Sequence, residues 1–223
     1  SRKAKERYPL IPQRWGLRRF PSSNCFYINH SCTRDHGIFD GTDPEQLTRA
    51  EALAHRQAIE MIAAMREHGG PAFSSVELIA SGAQIGVRET RRVKGVYVLT
   101  EQDAREGRTF DDVIAWRSGF LDIGFVHYER MKIHDVPYRA IIPESLDGLL
   151  MAGRCISATH VAASAGKSMG NCMATGHAAG RAAALAVERK CRLRELPVED
   201  IQQLLQADGV DLTRGGEEQD IVE

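Results

Sequence analysis

The run Met169 to Val187, MGNCMATGHAAGRAAALAV, constrains this chain more than any other segment. Ala, Leu and Met favour helix, while Gly176, Ala179, Gly180 and Ala183 stack very small residues at i, i+3, i+4 and i+7. Glycine weakens a helix, so a face built this way is expected to have something packed very close to it. Just upstream, Leu149-Leu150-Met151-Ala152-Gly153 reads as a compact buried strand ending in glycine, followed by an irregular linker of small and polar residues. A helix beginning near Gly170 then offers free backbone N–H groups and the positive end of its dipole, a setting that suits an anion or an electron-rich carbonyl. The same pattern suits tight helix-on-sheet packing with no ligand, and the spacing alone leaves both open.

The remaining elements are read from caps and periodicity. Asn24 to Ser31 alternates enough for a short strand. Thr42 or Asp43 caps a helix over Pro44–His68 whose apolar stripe includes Leu47, Ala50, Ala54, Met61 and Met65, stopped by Gly69-Gly70-Pro71. Two strands, VELIA and VKGVYVL, flank the dense segment Gly86 to Arg92, and Thr100 to Asp103 forms a capping box. A short helix is expected over Phe110–Arg117, an edge strand over Val136–Pro143, and a last helix from about Pro197 to Ala207 with Gly209 as its stop. The acidic tail GGEEQDIVE is expected to fray.

Composition enters as a set of exclusions. With 29 Lys+Arg against 30 Asp+Glu, the net charge of −1 gives no electrostatic argument for nucleic acid or an anionic membrane. Five cysteines without a C-x-x-C pair suggest neither a disulfide framework nor a zinc knuckle, and reduced thiols in a cytoplasmic protein are expected. The basic N-terminus has no apolar signal-like core, and no window is long and apolar enough for a membrane span. His30, Cys32, Asp35 and His36 can be drawn as a metal cluster, but their irregular spacing makes them polar substrate-domain positions and no metal is expected. Cys155 and Cys172, seventeen residues apart, read as packing residues.

Two long motifs carry a resemblance. PYRAIIPESLDGLLMAGRCISATHVAASAGKSMGNCMATGHAAGRAAALAVE and GVRETRRVKGVYVLTEQDAREGRTFDDVIA together resemble the C-terminal half of the FAD-dependent oxidoreductase family, in the glutathione-reductase-like flavoprotein class. The resemblance runs from about Asn24 to Leu212. It implies an α/β fold: a partial FAD-binding, Rossmann-like layer over residues 136–223 with the terminal helix, and a substrate-binding portion over 1–135 with a mixed or antiparallel sheet. It also implies an oxidoreductase that dehydrogenates a small organic substrate, with FAD as cofactor and the helix start near the pyrimidine edge of the isoalloxazine. No G-x-G-x-x-G occurs in the 223 residues, so the ADP-binding end is expected on an N-terminal portion or a second subunit. The competing reading is a non-catalytic interaction subunit of the same fold.

The resemblance also assigns roles. His160, in the linker passing the flavin, is the candidate base, because a histidine titrating near neutrality can take a proton from a CH–OH or CH–NH group. Arg88 is its candidate partner, a guanidinium able to hold a substrate carboxylate or polarise the ring. Cofactor-binding positions are Gly153, Arg154, Ser157, Lys167, Met169, Gly170, Asn171, Cys172 and Arg91. Lys167 stands where the family pattern has arginine, which gives charge without the two-pronged fork.

Overall fold

The computed structural model describes residues 2–12, 16–29, 32–33, 36–121 and 130–213. The chain divides into two compact units, Ser1–Thr90 and Arg91–Glu223. The boundary expected at 135/136 falls inside the second unit, within the strand Arg130–Pro137. Among the described residues the chain combines helices with small antiparallel sheets, an α/β composition in the coarse sense. No helix of the described residues is long and apolar enough to cross a membrane.

The first unit is built on the helix expected from the sequence. Helix α1 (Arg2–Arg7) and the two-residue strands β1 (Arg18–Arg19) and β2 (Phe26–Tyr27) precede α2 (Pro44–His68). The Asp43 carboxylate accepts from the N–H groups of Glu45 and Gln46, and Gly69 closes the helix with its N–H on Met65 O. The buried side of α2 carries Ala50, Met61, Ala64 and Met65, with Ala4 and Ile11 packed against Met61 and Ala64. It also buries Gln57, whose amide donates to Cys32 O at 2.7 Å and accepts from Cys32 N at 3.2 Å. That pairing completes both amide functions without a second polar side chain. Of the strand expected over Asn24–Ser31, residues 24–29 keep only Phe26–Tyr27, because a lone two-stranded ribbon is marginal, and His30 and Ser31 lie outside the described residues. The segment VELIA forms no ladder at all. Leu78 and Ile79 are exposed, and the segment is held to α2 by Arg66 Nε on Val76 O at 2.8 Å and His55 at Gly82 O, 3.3 Å.

The second unit holds the larger core. Its elements are α3 (Glu101–Glu106), β3 (Val113–Phe120), β4 (Arg130–Pro137), α4 (His160–Ala165), α5 (Met169–Arg189) and α6 (Val198–Ala207). The helix expected over Phe110–Arg117 is instead β3, paired antiparallel with β4 in the register Ala115↔Val136, Trp116↔Asp135, Arg117↔His134. Val113, Ile114 and Trp116 suit a pleated surface, and the distant partner strand decides the outcome. VKGVYVL is extended but not a ladder strand. The N–H groups of Val96, Tyr97 and Leu99 go to Ile142, Arg139 and Ser157, leaving single bridges at Gly95↔Pro143 (antiparallel) and Leu99↔Ala158 (parallel). These bonds go to two separate stretches rather than one partner strand, so no regular strand results. The edge strand expected over Val136–Pro143 ends at Pro137 and turns into a 3-10 turn at Tyr138–Ala140, because proline cannot extend the ladder as a donor. Leu149–Gly153 keeps one sheet-like bond, Met151 N to Ile141 O at 2.9 Å, before a 3-10 turn at Gly153–Cys155.

Two helix ends show how polar groups fix this unit. Asp103, 1% exposed, accepts from Thr100 N at 2.8 Å, from the Thr100 hydroxyl and the Tyr97 hydroxyl at 2.9 Å each, and from Arg108 at 3.1 Å. Burial pushes its carboxyl up, but these donors outweigh burial and hold it below the ordinary 3.8. At the end of α6, Asp208 accepts from Arg181 and, at 2.7 Å, pairs with His177, tying α6 to α5.

Helix α5 has two unlike faces. Ala178, Ala182, Leu185 and Ala186 enter the core, while Met169, Met173, Gly176, Gly180 and Val187 are exposed. The small-residue face was expected to be closely covered; instead nothing of the described residues lies within 4 Å of a Cβ placed at Gly170, Gly176 or Gly180. The core is fitted to the alanines, and the glycines face outward.

Two stability measurements check this description. Asp103→Ala should cost about 2–3 kcal/mol in denaturant unfolding, the sum of a lost cap and stranded buried donors. Because the folded carboxyl sits below 3.8, its contribution is present above that value and is lost as pH falls through the folded pKa. The parental chain should therefore weaken in that acid window more steeply than Asp103→Ala. For α5, Gly176→Ala and Gly180→Ala in the chain alone should each raise stability by up to about 1 kcal/mol, since helix propensity improves and no neighbour is displaced. A loss at either position would mean that a cover for the glycines exists within this chain.

Candidate functional site

The start of α5 is assembled from three sides. Ser168 caps it, its Oγ accepting from Asn171 N at 3.5 Å. From β3, Ser118 O accepts the Asn171 side-chain amide at 2.8 Å. From the preceding turn, Gly153 N–H donates to Thr175 Oγ1 at 2.9 Å, and that hydroxyl lies 3.0 Å from both Asn171 O and Cys172 O. One threonine thus links the glycine turn to the first two turns of the helix. Cys172 packs on that turn, with its Sγ 3.6 Å from the place of a Gly153 Cβ.

The linker into α5 is gripped by β3. Arg117, 1% exposed, donates from Nε to Gly166 O at 3.2 Å and also from Nη2 to the same oxygen. A Cβ on Gly166 would overlap that guanidinium, and one on Gly119 would come within 2.5 Å of Ala165 O. Glycine on each side is what lets strand and linker approach this closely. Burial pushes the Arg117 guanidinium down to about 10, so it stays charged at neutral pH.

The expected site residues are only partly brought together. Gly153, Lys167, Met169, Gly170, Asn171 and Cys172 all lie around the first turns of α5 and its linker, with Met169 and Gly170 exposed. Arg154 is exposed on the 3-10 turn, and Arg91 is exposed two residues before Val93, whose N–H bonds Cys155 O at 2.9 Å. Ser157 is fully buried; its backbone bonds Ala140 and Leu99, and its Oγ has no hydrogen-bond partner among the described residues. His160 occupies the first position of the two-turn α4, exposed, in a stretch the sequence suggested was irregular. Arg88 lies in the first unit, exposed, on a segment without ladder pairing rather than on the strand edge expected for it. In the drawn metal cluster, His30 and Asp35 lie outside the described residues, and among the described residues no three His, Cys, Asp or Glu are grouped to hold a metal.

Sequence reasoning passed over Arg117 and Thr175. A charged residue inside the apolar run VIAWRSGF was the available signal for Arg117, masked by the helix assignment there. The unit has another cleft, of about 650 Å³, lined by Arg108, Asp112, Arg139 and Arg194. Its arginines already pair with Asp103, Asp112 and Asp147, which makes it a structural network.

The start of α5 suits the electron-rich edge of a flavin ring. It offers an exposed first turn, open space at Gly170, Lys167, and a buried cation beneath the linker. The buried hydroxyls of Ser157 and Thr159 have no hydrogen-bond partner among the described residues. Nothing in the sequence supplies the glycine fingerprint that would take the pyrophosphate.

The family model described as FAD dependent oxidoreductase matches residues 1–205. No curated protein and no solved structure matches the chain. With the match covering most of its length, the chain belongs to the FAD dependent oxidoreductase family, and its cofactor is FAD.

Proposed function

We propose that this chain supplies the substrate side and the flavin side of an FAD-dependent oxidoreductase that dehydrogenates a small organic substrate. The observation that carries the reading is the first turn of α5, exposed and anchored from β3, the Gly153 turn and the linker. In this reading residues 136–223 form the C-terminal part of a Rossmann-like flavin layer and 1–135 the substrate-binding portion.

When bound, FAD accepts the substrate hydride at N5. The N–H groups at the start of α5 and the Lys167 ammonium favour the negative charge that develops on the ring edge. His160 holds the proton released from the substrate CH–OH or CH–NH group. Arg88 orients the substrate, its planar fork matching a carboxylate.

The ADP end belongs to a partner: an N-terminal portion or second subunit with the G-x-G-x-x-G fingerprint. Its docking place is the outward face of α5, where Met169 is 83% exposed, Met173 is 74% exposed, and Gly176 and Gly180 leave room for a backbone to approach.

Two experiments test this. The chain alone should hold FAD weakly, whereas co-expression with an ADP-binding portion should give a yellow complex. Gly176→Leu should leave the chain folded but block that complex. Tight, stoichiometric FAD binding by the chain alone would contradict the division of labour. Within the complex, His160→Asn should keep flavin content and Tm while slowing flavin reduction roughly 10²–10⁴-fold in stopped flow. Arg88→Lys should chiefly raise KM. An early-melting His160→Asn complex that reduces flavin at the parental rate would remove the base assignment.

A further inference from the structure

The guanidinium of Arg117 is an expensive object for the task it visibly performs. It is buried in β3, and two of its nitrogens share one neutral acceptor, Gly166 O. Its Nη1 has no hydrogen-bond partner among the described residues. Apart from burial, the group of the described residues near enough to affect its ionisation is the Cys172 thiol, and no carboxylate among the described residues does so. A carbonyl needs only a neutral donor, which would clamp the linker without the cost of burying a charge. A full positive charge held there in low dielectric has a field that water screens poorly. The place it occupies is directly beneath Gly166, one residue from Lys167 and three from the first residue of α5. Lys167, by contrast, is partly exposed, and its charge is screened accordingly.

We propose that Arg117 is the fixed interior cation of this site, a positioning residue that holds the linker through Gly166 and raises the electron affinity of the ring seated at the start of α5 without touching it. The assignment rests on the flavin reading given above. It differs from the roles of Lys167 and the helix terminus because it needs neither exposure nor contact, only a buried charge that no carboxylate of the described residues cancels. It also accounts for Gly166, whose missing side chain is the space the guanidinium fills.

The test compares Arg117→Gln, which keeps an amide donor for Gly166 O but removes the charge, with Arg117→Lys, which keeps charge but loses the fork. Both are made in the complex with the ADP-binding portion, and flavin content and midpoint potential are read by spectroscopic titration. Arg117→Gln should retain flavin and, at the parental midpoint, shift the reduced-to-oxidised ratio at least tenfold toward oxidised, about 30 mV for two electrons. Arg117→Lys at pH 7 should stay within about threefold of the parental ratio, and the Arg117→Gln chain alone should melt no earlier than the parent. A parental potential in Arg117→Gln, or equal shifts in both variants, would overturn the charge assignment and leave only the clamp. Should Arg117→Gln not fold, the Lys variant decides, since a buried ammonium loses its charge at lower pH than a guanidinium. Its potential should then part from the parental value as pH rises toward 10, and parallel behaviour would overturn the proposal. A parental complex that takes up no flavin would overturn the underlying reading, and the assignment with it.

Discussion

The grip of β3 on the linker before α5 is the contact on which the second unit's chemistry depends. Arg117 holds Gly166 O, Ser118 O holds Asn171, and Gly119 lies flush against Ala165 O. Charge-assisted hydrogen bonds are worth about 1.5–3 kcal/mol each, while an interior ion costs several kcal/mol to desolvate. The strand therefore gains geometry rather than stability. What is fixed is the start of a 21-residue helix, where Met169 and Gly170 stay open to a ligand. Thr175 extends the constraint to the Gly153 turn, so Gly153, Asn171 and Cys172 come together without a contiguous strand to carry them.

The same helix faces two ways, and its composition follows. Inward, alanines and Leu185 let α5 approach the hairpin and α6 closely, with Asp208 fastening the far helix through Arg181 and His177. Outward, glycines and methionines form a surface with little to gain from water. Adaptable Met side chains and bare glycine backbone suit an apolar partner surface better than solvent.

Legibility in the sequence followed the range of the interactions. Helix α2, its Asp43 cap, the Thr100–Asp103 box, α5 and α6 rest on neighbours within a few residues, and all were readable from caps and periodicity. The hairpin was misread as helix over Phe110–Arg117 because its partner strand lies ten or more residues away. The segment 93–99 looked like a strand and has satisfied N–H groups, but they are shared between two distant stretches. At the site, the small-residue helix and its glycine turn were visible, whereas Arg117 was hidden by the wrong period. The glycine stripe was rightly noticed and wrongly paired: among the described residues nothing covers Gly176 or Gly180.

Hydrogen exchange across the chain, with FAD and an ADP-binding portion present or absent, tests most directly whether the start and outer face of α5 form the flavin-side interface. The account predicts new protection from about residue 166 through 180 when both are present, little with FAD alone, and no change around the Arg108–Arg139 cleft. Protection confined to that cleft or to the first unit, with α5 exchanging as before, would contradict it.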